Sequence, residues 1–250
     1  MQRFFLPPEE TRNDILTLQD REAHHALHVV RLRPGEEVVV LNGQGERIWC
    51  EAATLGRREA QLRVIRREQL PSRPWPVTLI QALPKAKTFD VIIQKATELG
   101  VSRVIPLLSQ RVVSQVDAER GASKLEHWRA IAIESIKQCG SPWLPALDPP
   151  IAFPALLARV LPAPLCLVAS LRSNARHPRN VIDSVLGETR PPAGSTQIWV
   201  GPEGDFTDEE LESLEKWGAQ AVSFGSLVLR ADTAAIYALS VVNHEMSAMP

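Results

Sequence analysis

The sequence predicts an α/β protein in which a parallel-sheet domain is preceded by a small β-barrel. Three observations carry this reading. Residues 1 to about 70 fall into short strands broken by turn residues. Pro71, Pro74 and Pro76 then crowd into a stretch that resists both helix and central strand. Beyond them, apolar strands alternate with amphipathic helices, the pattern of β-α-β units whose strands run parallel.

The elements follow in order. Val38 to Leu41 is a β-branched run, Asn42-Gly43-Gln44-Gly45 supplies a turn, and Arg47 to Ala53 returns. In the return strand Ile48, Cys50 and Ala52 alternate with Arg47, Trp49 and Glu51, which predicts a hairpin with one core face. Gln61 to Ile65 is a further strand, and a small barrel is the natural way to close such a set. The proline stretch from Leu70 to Pro76 marks the linker, dividing the chain into domains 1–72 and 73–250. Val77 to Leu83 reads as a buried strand. Thr88 is placed to cap a helix whose Phe89, Ile92, Ile93, Ala96 and Leu99 share a face, and Gly100 ends it. Val101 to Leu108, Leu165 to Ala169, Gln197 to Val200 and Ala221 to Phe224 are strands. Leu125 to Gln138 and Asp232 to His244 are helices, the latter capped by Asp232 or Thr233. Thr207-Asp208-Glu209-Glu210 is a capping box opening a helix that ends at Gly218.

Composition narrows the class. The chain has 250 residues, 44% hydrophobic, with 28 Lys and Arg against 29 Asp and Glu. A core of useful size needs no disulfide or metal, and the near-neutral balance leaves any nucleic-acid contact to local patches. Cys50, Cys139 and Cys166 are odd in number and lack zinc or redox spacing, so they read as reduced thiols. Met1 to Pro8 lacks the apolar core of a signal peptide, and prolines and Arg159 interrupt the apolar stretch Ile151 to Leu171. A cytoplasmic protein without a membrane span is expected. His24, His25 and His28 cluster, but no Cys or carboxylate joins them at zinc spacing, so no metal is expected. Phosphate-loop, dinucleotide and serine-hydrolase motifs are absent.

Two loops remain as candidate sites, both after strands, at the edge where open parallel sheets bind ligands. Gly201-Pro202-Glu203-Gly204 lets the backbone approach a ligand closely, though a plain strand-to-helix turn fits as well. Gly225-Ser226-Leu227-Val228-Leu229-Arg230 carries three apolar residues where a solvated turn would be polar. They either fold back into the core or wall an adenine or methionyl pocket.

Several segments, in order, resemble the RsmE family of 16S rRNA (uracil-N3)-methyltransferases, members of the SPOUT superfamily. They are Arg3-Phe4-Phe5; His25 to Arg31 with Pro34-Gly35; Phe89 to Val101; Ser109-Gln110-Arg111; and the two loops, the second continuing through Leu229-Arg230-Ala231-Asp232-Thr233-Ala234-Ala235. The resemblance implies a PUA-like barrel followed by a SPOUT-type domain with a carboxy-terminal trefoil knot. It implies S-adenosylmethionine as cofactor, 16S rRNA of the small subunit as partner, and a homodimer. A homodimer suits the last helix, where Ala234, Ala235, Ala238 and Ser240 permit close packing, although packing within one chain fits equally. The implied cofactor site comprises Ala169, Leu171, Gly201, Pro202, Glu203, Gly204, Phe224, Gly225, Leu227, Leu229, Arg230, Thr233 and Ala234. The chain departs from the family pattern in three places. Ser141-Pro142-Trp143 stands where arginines are frequent, so either that segment makes no RNA contact or Lys137 or Trp143 contributes there instead. Asp205 replaces a third glycine, and Asp232 a glutamate.

Methylating uracil at N3 requires loss of an imide proton, hence a base or a cation that stabilises the anion. Glu203, Arg230 and Arg111 are the candidates. Arg3, His25, Arg31, Arg33, Lys85 and Lys87 are candidate phosphate contacts. Arg57, Arg58, Arg63, Arg66 and Arg67 read as a solvated face. Two rivals stand beside this reading: a SPOUT enzyme acting on tRNA or a ribose hydroxyl, and a non-enzymatic RNA-binding protein with a PUA-like barrel.

Overall fold

A computed structural model describes residues 1–84, 87–112, 118–187 and 194–247. The chain forms two compact units. The first comprises Met1–Ser72 together with Ile133–Leu144, and the second Arg73–Ala132 with Pro145–Pro250. The return of Ile133–Leu144 to the first unit has no counterpart in the two consecutive domains expected from sequence.

In the first unit, β1 (Gln2–Phe5), β2 (Ile15–Leu18), β3 (Glu37–Leu41), β4 (Glu46–Leu55) and β5 (Ala60–Gln69) form one curled sheet in the order β1-β3-β4-β5-β2. The expected hairpin is β3–β4, with Val40 opposite Ile48 and Val38 opposite Cys50. Its inward residues Ile48, Cys50 and Ala52 are fully buried, as the alternation requires. β1 pairs with β3 in parallel, which local patterning does not reveal. A short helix, α1 (Asp20–His24), runs into one wide π-type turn, His25–Val29. It plugs the sheet with buried Ala23 and Ala26, against a core that includes Phe4, Leu16, Leu18 and Leu62.

Ile133–Leu144 completes this unit through polar clasps. The Arg3 guanidinium donates to the carbonyls of Lys137 and Gln138 at 3.1 and 3.0 Å, satisfying two of the acceptors that a helix end leaves open. Lys137 is buried, its ammonium 2.7 Å from Glu22 and 3.1 Å from Glu134. Gly45 N–H donates to the Pro142 carbonyl, and Leu144 N–H to that of Gly43. The Trp143 indole donates to the Pro71 carbonyl and lies flush on Gly45, where a Cβ would sit 2.3 Å from the ring. Ser141-Pro142-Trp143 is therefore a clasp on the hairpin turn. Of the two alternatives for this segment, the burial of Lys137 and the engagement of the Trp143 indole fit the one without an RNA contact.

The second unit carries β6 (Val77–Ala82), α2 (Thr88–Glu98), β7 (Arg103–Leu108), β8 (Ala146–Leu147), β9 (Ile151–Ala152), α4 (Phe153–Leu157), β10 (Leu165–Ala169), α5 (Pro178–Leu186), β11 (Thr196–Val200), α6 (Asp208–Trp217), β12 (Gln220–Val222) and α7 (Ala231–Ser247), with α3 (Ala118–Cys139) spanning the break between units. All pairs in its sheet are parallel, in the order β12-β10-β11-β6-β7-β8, with β9 also on β7. The core joins Ile80, Ile105, Val168, Trp199, Phe206 and Leu214.

Thr88 does not cap α2. Lys87 occupies the cap position, and Thr88 is the first helical residue. Neither Asp232 nor Thr233 caps α7 as expected: the Arg230 carbonyl accepts from Ala234 N–H, and the Asp232 carboxylate takes the Thr233 N–H. Ala235 and Ala238 of α7 are buried within the single chain, so its small residues serve packing inside the unit. The capping box of α6 is formed as expected, Thr207 and Glu210 bonding reciprocally, and Gly218 ends the helix in the left-handed region. Among the described residues no helix is long and apolar enough to cross a membrane, and no group of three His, Cys, Asp or Glu could hold a metal ion.

Candidate active site

β12, β10 and β11 are adjacent, so the loops after them converge at one sheet edge, where parallel strands direct unpaired backbone groups outward. Together they line one cleft that opens to solvent. The β10 end contributes Ala169, Ser170 and Leu171. The β11 loop gives Val200, Gly201, Pro202, Glu203 and Asp205, and the β12 loop Phe224, Gly225, Leu227, Val228 and Leu229. Ala231 and Ala234 of α7 complete the lining.

Ten of the residues expected at a cofactor site thus line one cleft: Ala169, Leu171, Gly201, Pro202, Glu203, Phe224, Gly225, Leu227, Leu229 and Ala234. Gly204, Arg230 and Thr233 lie beside it without lining it. The alternative in which the apolar loop residues fold into the core is overturned, since Leu227 and Val228 are 74% and 78% exposed. Sequence reasoning missed Ser170, Val200, Asp205 and Ala231 as lining residues, although each adjoins a residue it had named.

The β11 loop is held from several sides. Gln81 Nε2 on β6 reaches the Val200 and Gly201 carbonyls at 3.4 Å. Arg111, beyond β7, donates to the Gly204 carbonyl in a short contact and to that of Phe206 at 3.3 Å. Glu210 is 3% exposed and takes the N–H of Thr207 with one oxygen and that of Gln110 with the other. Arg172 ties the β10 loop to α6, donating to the Asp208 carboxylate and carbonyl at 2.7 and 3.0 Å. That pairing holds the guanidinium more firmly protonated than usual.

Asp205 explains its own departure from the glycine pattern. Its φ is +60°, in the left-handed region that glycine occupies freely and that Asp and Asn tolerate best among side-chain-bearing residues. Its Oδ1 accepts from Phe206 N–H at 2.7 Å. Half-burial pushes this carboxyl above the ordinary aspartate range. The Phe206 and Leu171 N–H groups, Arg111 and Arg172 pull it back. Gly201 is needed directly beneath it: a Cβ there would stand 2.9 Å from Asp205 Oδ1 and 3.0 Å from Phe206 N.

The three candidate catalytic residues part company. Glu203 is an exposed residue on the cleft lining. Arg230 is exposed, and its guanidinium makes no hydrogen bond or ion pair among the described residues. Arg111 is the loop brace just described, its guanidinium directed at carbonyls. The candidate phosphate contacts are likewise mixed. Arg3 caps a helix end, and His25 packs edge-on against Phe4 with Nδ1 buried and unpartnered. Arg31, Arg33 and Lys87 are exposed, whereas Lys85 lies outside the described residues. Several of the β5 arginines expected on a solvated face are paired or stacked: Arg63 with Glu51, Arg67 with Glu46, Arg66 over Trp49.

Residues 71–243, which contain the whole cleft, match the RNA methyltransferase domain family, and residues 18–65 match the RNA methyltransferase PUA domain family. The ribosomal RNA small subunit methyltransferase E of Mycobacterium bovis is 34% identical over 221 residues, 88% of this chain and 83% of its own length. The chain belongs to the ribosomal RNA small subunit methyltransferase E family. The Bacillus subtilis member is 29% identical over 98% of this chain and 97% of its own. The family member from Neisseria gonorrhoeae, solved bound to S-adenosylmethionine, superposes with a TM-score of 0.84 at 28% identity, covering 98% of both chains. A Legionella pneumophila methyltransferase in complex with the same cofactor gives 0.86 at 27% identity over 97% of both. The α/β methyltransferase fold with an amino-terminal PUA-like sheet, expected from sequence, is thus shared across the family.

Proposed function

We propose that the chain transfers a methyl group from S-adenosylmethionine to N3 of a uridine in the 16S rRNA of the small ribosomal subunit. The cleft supports this most directly. It lies at the carboxyl edge of parallel strands, in a member of a small-subunit rRNA methyltransferase family. Its residues fit the cofactor on three counts. Leu171, Pro202, Phe224, Leu227 and Leu229 offer apolar walls to an adenine ring. The N–H groups of Leu227, Val228 and Leu229 have no partner among the described residues and offer donors to its heteroatoms. The carboxylates of Glu203 and Asp205 favour a cation.

S-adenosylmethionine, when bound, supplies an electrophilic methyl group on a sulfonium. The protein's part is to orient that methyl group, to exclude water, and to manage the imide proton. In this reading Glu203, on the cleft lining, accepts the proton from N3, and Arg230, with its guanidinium uncommitted, stabilises the developing uracil anion. Arg111 acts one step removed, by fixing the Gly204 and Phe206 carbonyls. Arg31, Arg33 and Lys87 are the accessible cations for phosphates. The trefoil knot and a homodimer belong to the same proposal, the latter supported by exposed apolar Leu171, Leu227, Val228 and Tyr237. Action on a ribosomal subunit implies a cytoplasmic setting.

Nucleoside mapping of 16S rRNA from cells lacking the protein tests the assignment: one 3-methyluridine should vanish and return on complementation. A missing 2′-O-methyl group or a tRNA modification would replace this reading with the rival knotted enzyme, and no calorimetric heat with S-adenosylmethionine would favour a pure RNA-binding protein. Arg230→Ala should lower kcat by about a hundredfold or more. Full activity with unchanged cofactor affinity would remove Arg230 from the mechanism.

A further inference from the structure

Methyl transfer changes the charge of the cofactor. The carbon–sulfur electron pair stays on sulfur as the bond to nitrogen forms, so a sulfonium becomes an uncharged thioether. We propose that Asp205 makes the cleft discriminate between S-adenosylmethionine and its product S-adenosylhomocysteine, favouring release of the spent molecule; this rests on the cofactor reading above.

The argument begins with the lining. Among the described residues Glu203 and Asp205 are its only ionisable side chains, and both are carboxylates. Apart from the Ser170 hydroxyl the rest of the wall is apolar or main chain, so no cation of the lining offsets these charges. Asp205 is the better fixed of the two. Its backbone is held at φ +60°, its Oδ1 is hydrogen-bonded to Phe206 N–H, and its carboxylate rests on the Cβ-free face of Gly201.

Two cations face it, and only Arg172 is neutralised by carboxylate partners. Arg111 points at the Gly204 and Phe206 carbonyls, while Arg172 pairs with Asp208 and Glu215. With Glu203, Asp208, Glu209 and Glu215 counted, carboxylates outnumber these two guanidiniums and the Arg230 guanidinium beside the cleft. A permanently charged sulfonium gains from that field, and a thioether of nearly the same shape does not. Packing alone would treat the two ligands alike, so the side chain where the family pattern has glycine is the one that adds selectivity here.

Calorimetry on the full chain with S-adenosylmethionine and with S-adenosylhomocysteine tests this, using Asp205→Asn and Asp205→Gly. Both replacements tolerate the backbone conformation, and asparagine keeps the acceptor for Phe206 N–H. The ratio of the two affinities should shift towards the product by about 3- to 10-fold in each variant, chiefly through weaker binding of the methyl donor. A ratio unchanged within twofold in both variants, with both ligands still binding, would overturn the role of Asp205 and leave the cofactor assignment standing. No heat from either ligand with the parent protein would overturn the assignment itself, and this inference with it.

Discussion

Removing the Glu210 carboxylate should loosen the β11 loop from behind. Its two oxygens satisfy Thr207 N–H at 3.0 Å, inside the capping box, and Gln110 N–H at 2.9 Å, at the end of β7. In Glu210→Ala both donors lose a charged acceptor. Thr207 is buried and cannot recover water, which costs about 1–3 kcal/mol. Gln110 is exposed and recovers part of its loss, so its share sits near the lower end, about 1 kcal/mol. The sum is about 3 kcal/mol. For a domain of this size that lowers the thermal midpoint by about 6–12 °C. Glu210→Gln retains one acceptor but turns an NH2 group towards the second donor, so it should lose about half as much. Thermal unfolding followed by circular dichroism measures both variants. Cofactor affinity should fall as well, because Gln110 adjoins the Arg111 brace. A Glu210→Ala midpoint within about 1 °C of the parent would refute the reasoning. A midpoint in Glu210→Gln equal to the parent's, beside a loss in Glu210→Ala, would show that side-chain volume matters and the paired acceptors do not.

Three further outcomes are expected. Gly201→Ala places a methyl group 2.9–3.2 Å from Asp205 and Phe206 atoms, mostly backbone. It should cost about 1–3 kcal/mol and weaken cofactor binding at least tenfold; wild-type calorimetry would show that the loop yields freely. Asp205→Asn should raise stability at neutral pH. The carboxyl's folded pKa is raised by burial, so its contribution is complete below the ordinary carboxylate value and is lost as pH rises through the folded one. The ionised side chain is thus a liability at pH 7. The variant's advantage should shrink as pH falls through the raised folded value towards the ordinary one near about 4 and stay constant below it, and an advantage constant with pH throughout would contradict this. Of the three thiols only Cys139 should react promptly with an aromatic disulfide reagent in the folded protein. Burial pushes the Cys50 and Cys166 thiols up to about 12, whereas Cys139 is exposed; rapid modification of all three would mean that the units open readily.

What could be read from the sequence was what short-range physics writes there. The alternation in Arg47 to Ala53, the Thr207–Glu210 capping box and the Gly201 and Leu227 loops each declare themselves within a few residues. The converse holds for the features missed. β1 finds its parallel partner more than thirty residues away, and a four-residue strand carries no signal of such a choice. Arg3 and Lys137 read as surface cations because their partners, a helix end and Glu22, are more than a hundred residues distant. Arg111 was named among the candidate catalytic residues, and nothing in Ser109-Gln110-Arg111 reveals that its guanidinium meets carbonyls of the β11 loop. Asp205 was noticed as a departure, yet only its positive φ shows why aspartate fits there.

The return of Ile133–Leu144 to the first unit bears on how the protein is made. Translation delivers Met1–Ser72 first, but that stretch leaves Glu22 without the Lys137 ammonium, Arg3 without its helix-end acceptors and Gly45 without its Trp143 cover. At about 5–20 residues per second, several seconds separate emergence of the sheet from emergence of the segment that finishes it. The amino-terminal unit therefore emerges ahead of the second but cannot close until Leu144 has followed, and it still closes before the second unit, which needs the chain through α7. A nascent chain arrested just past Ser72 should be protease-sensitive, and one extended beyond Leu144 should be resistant.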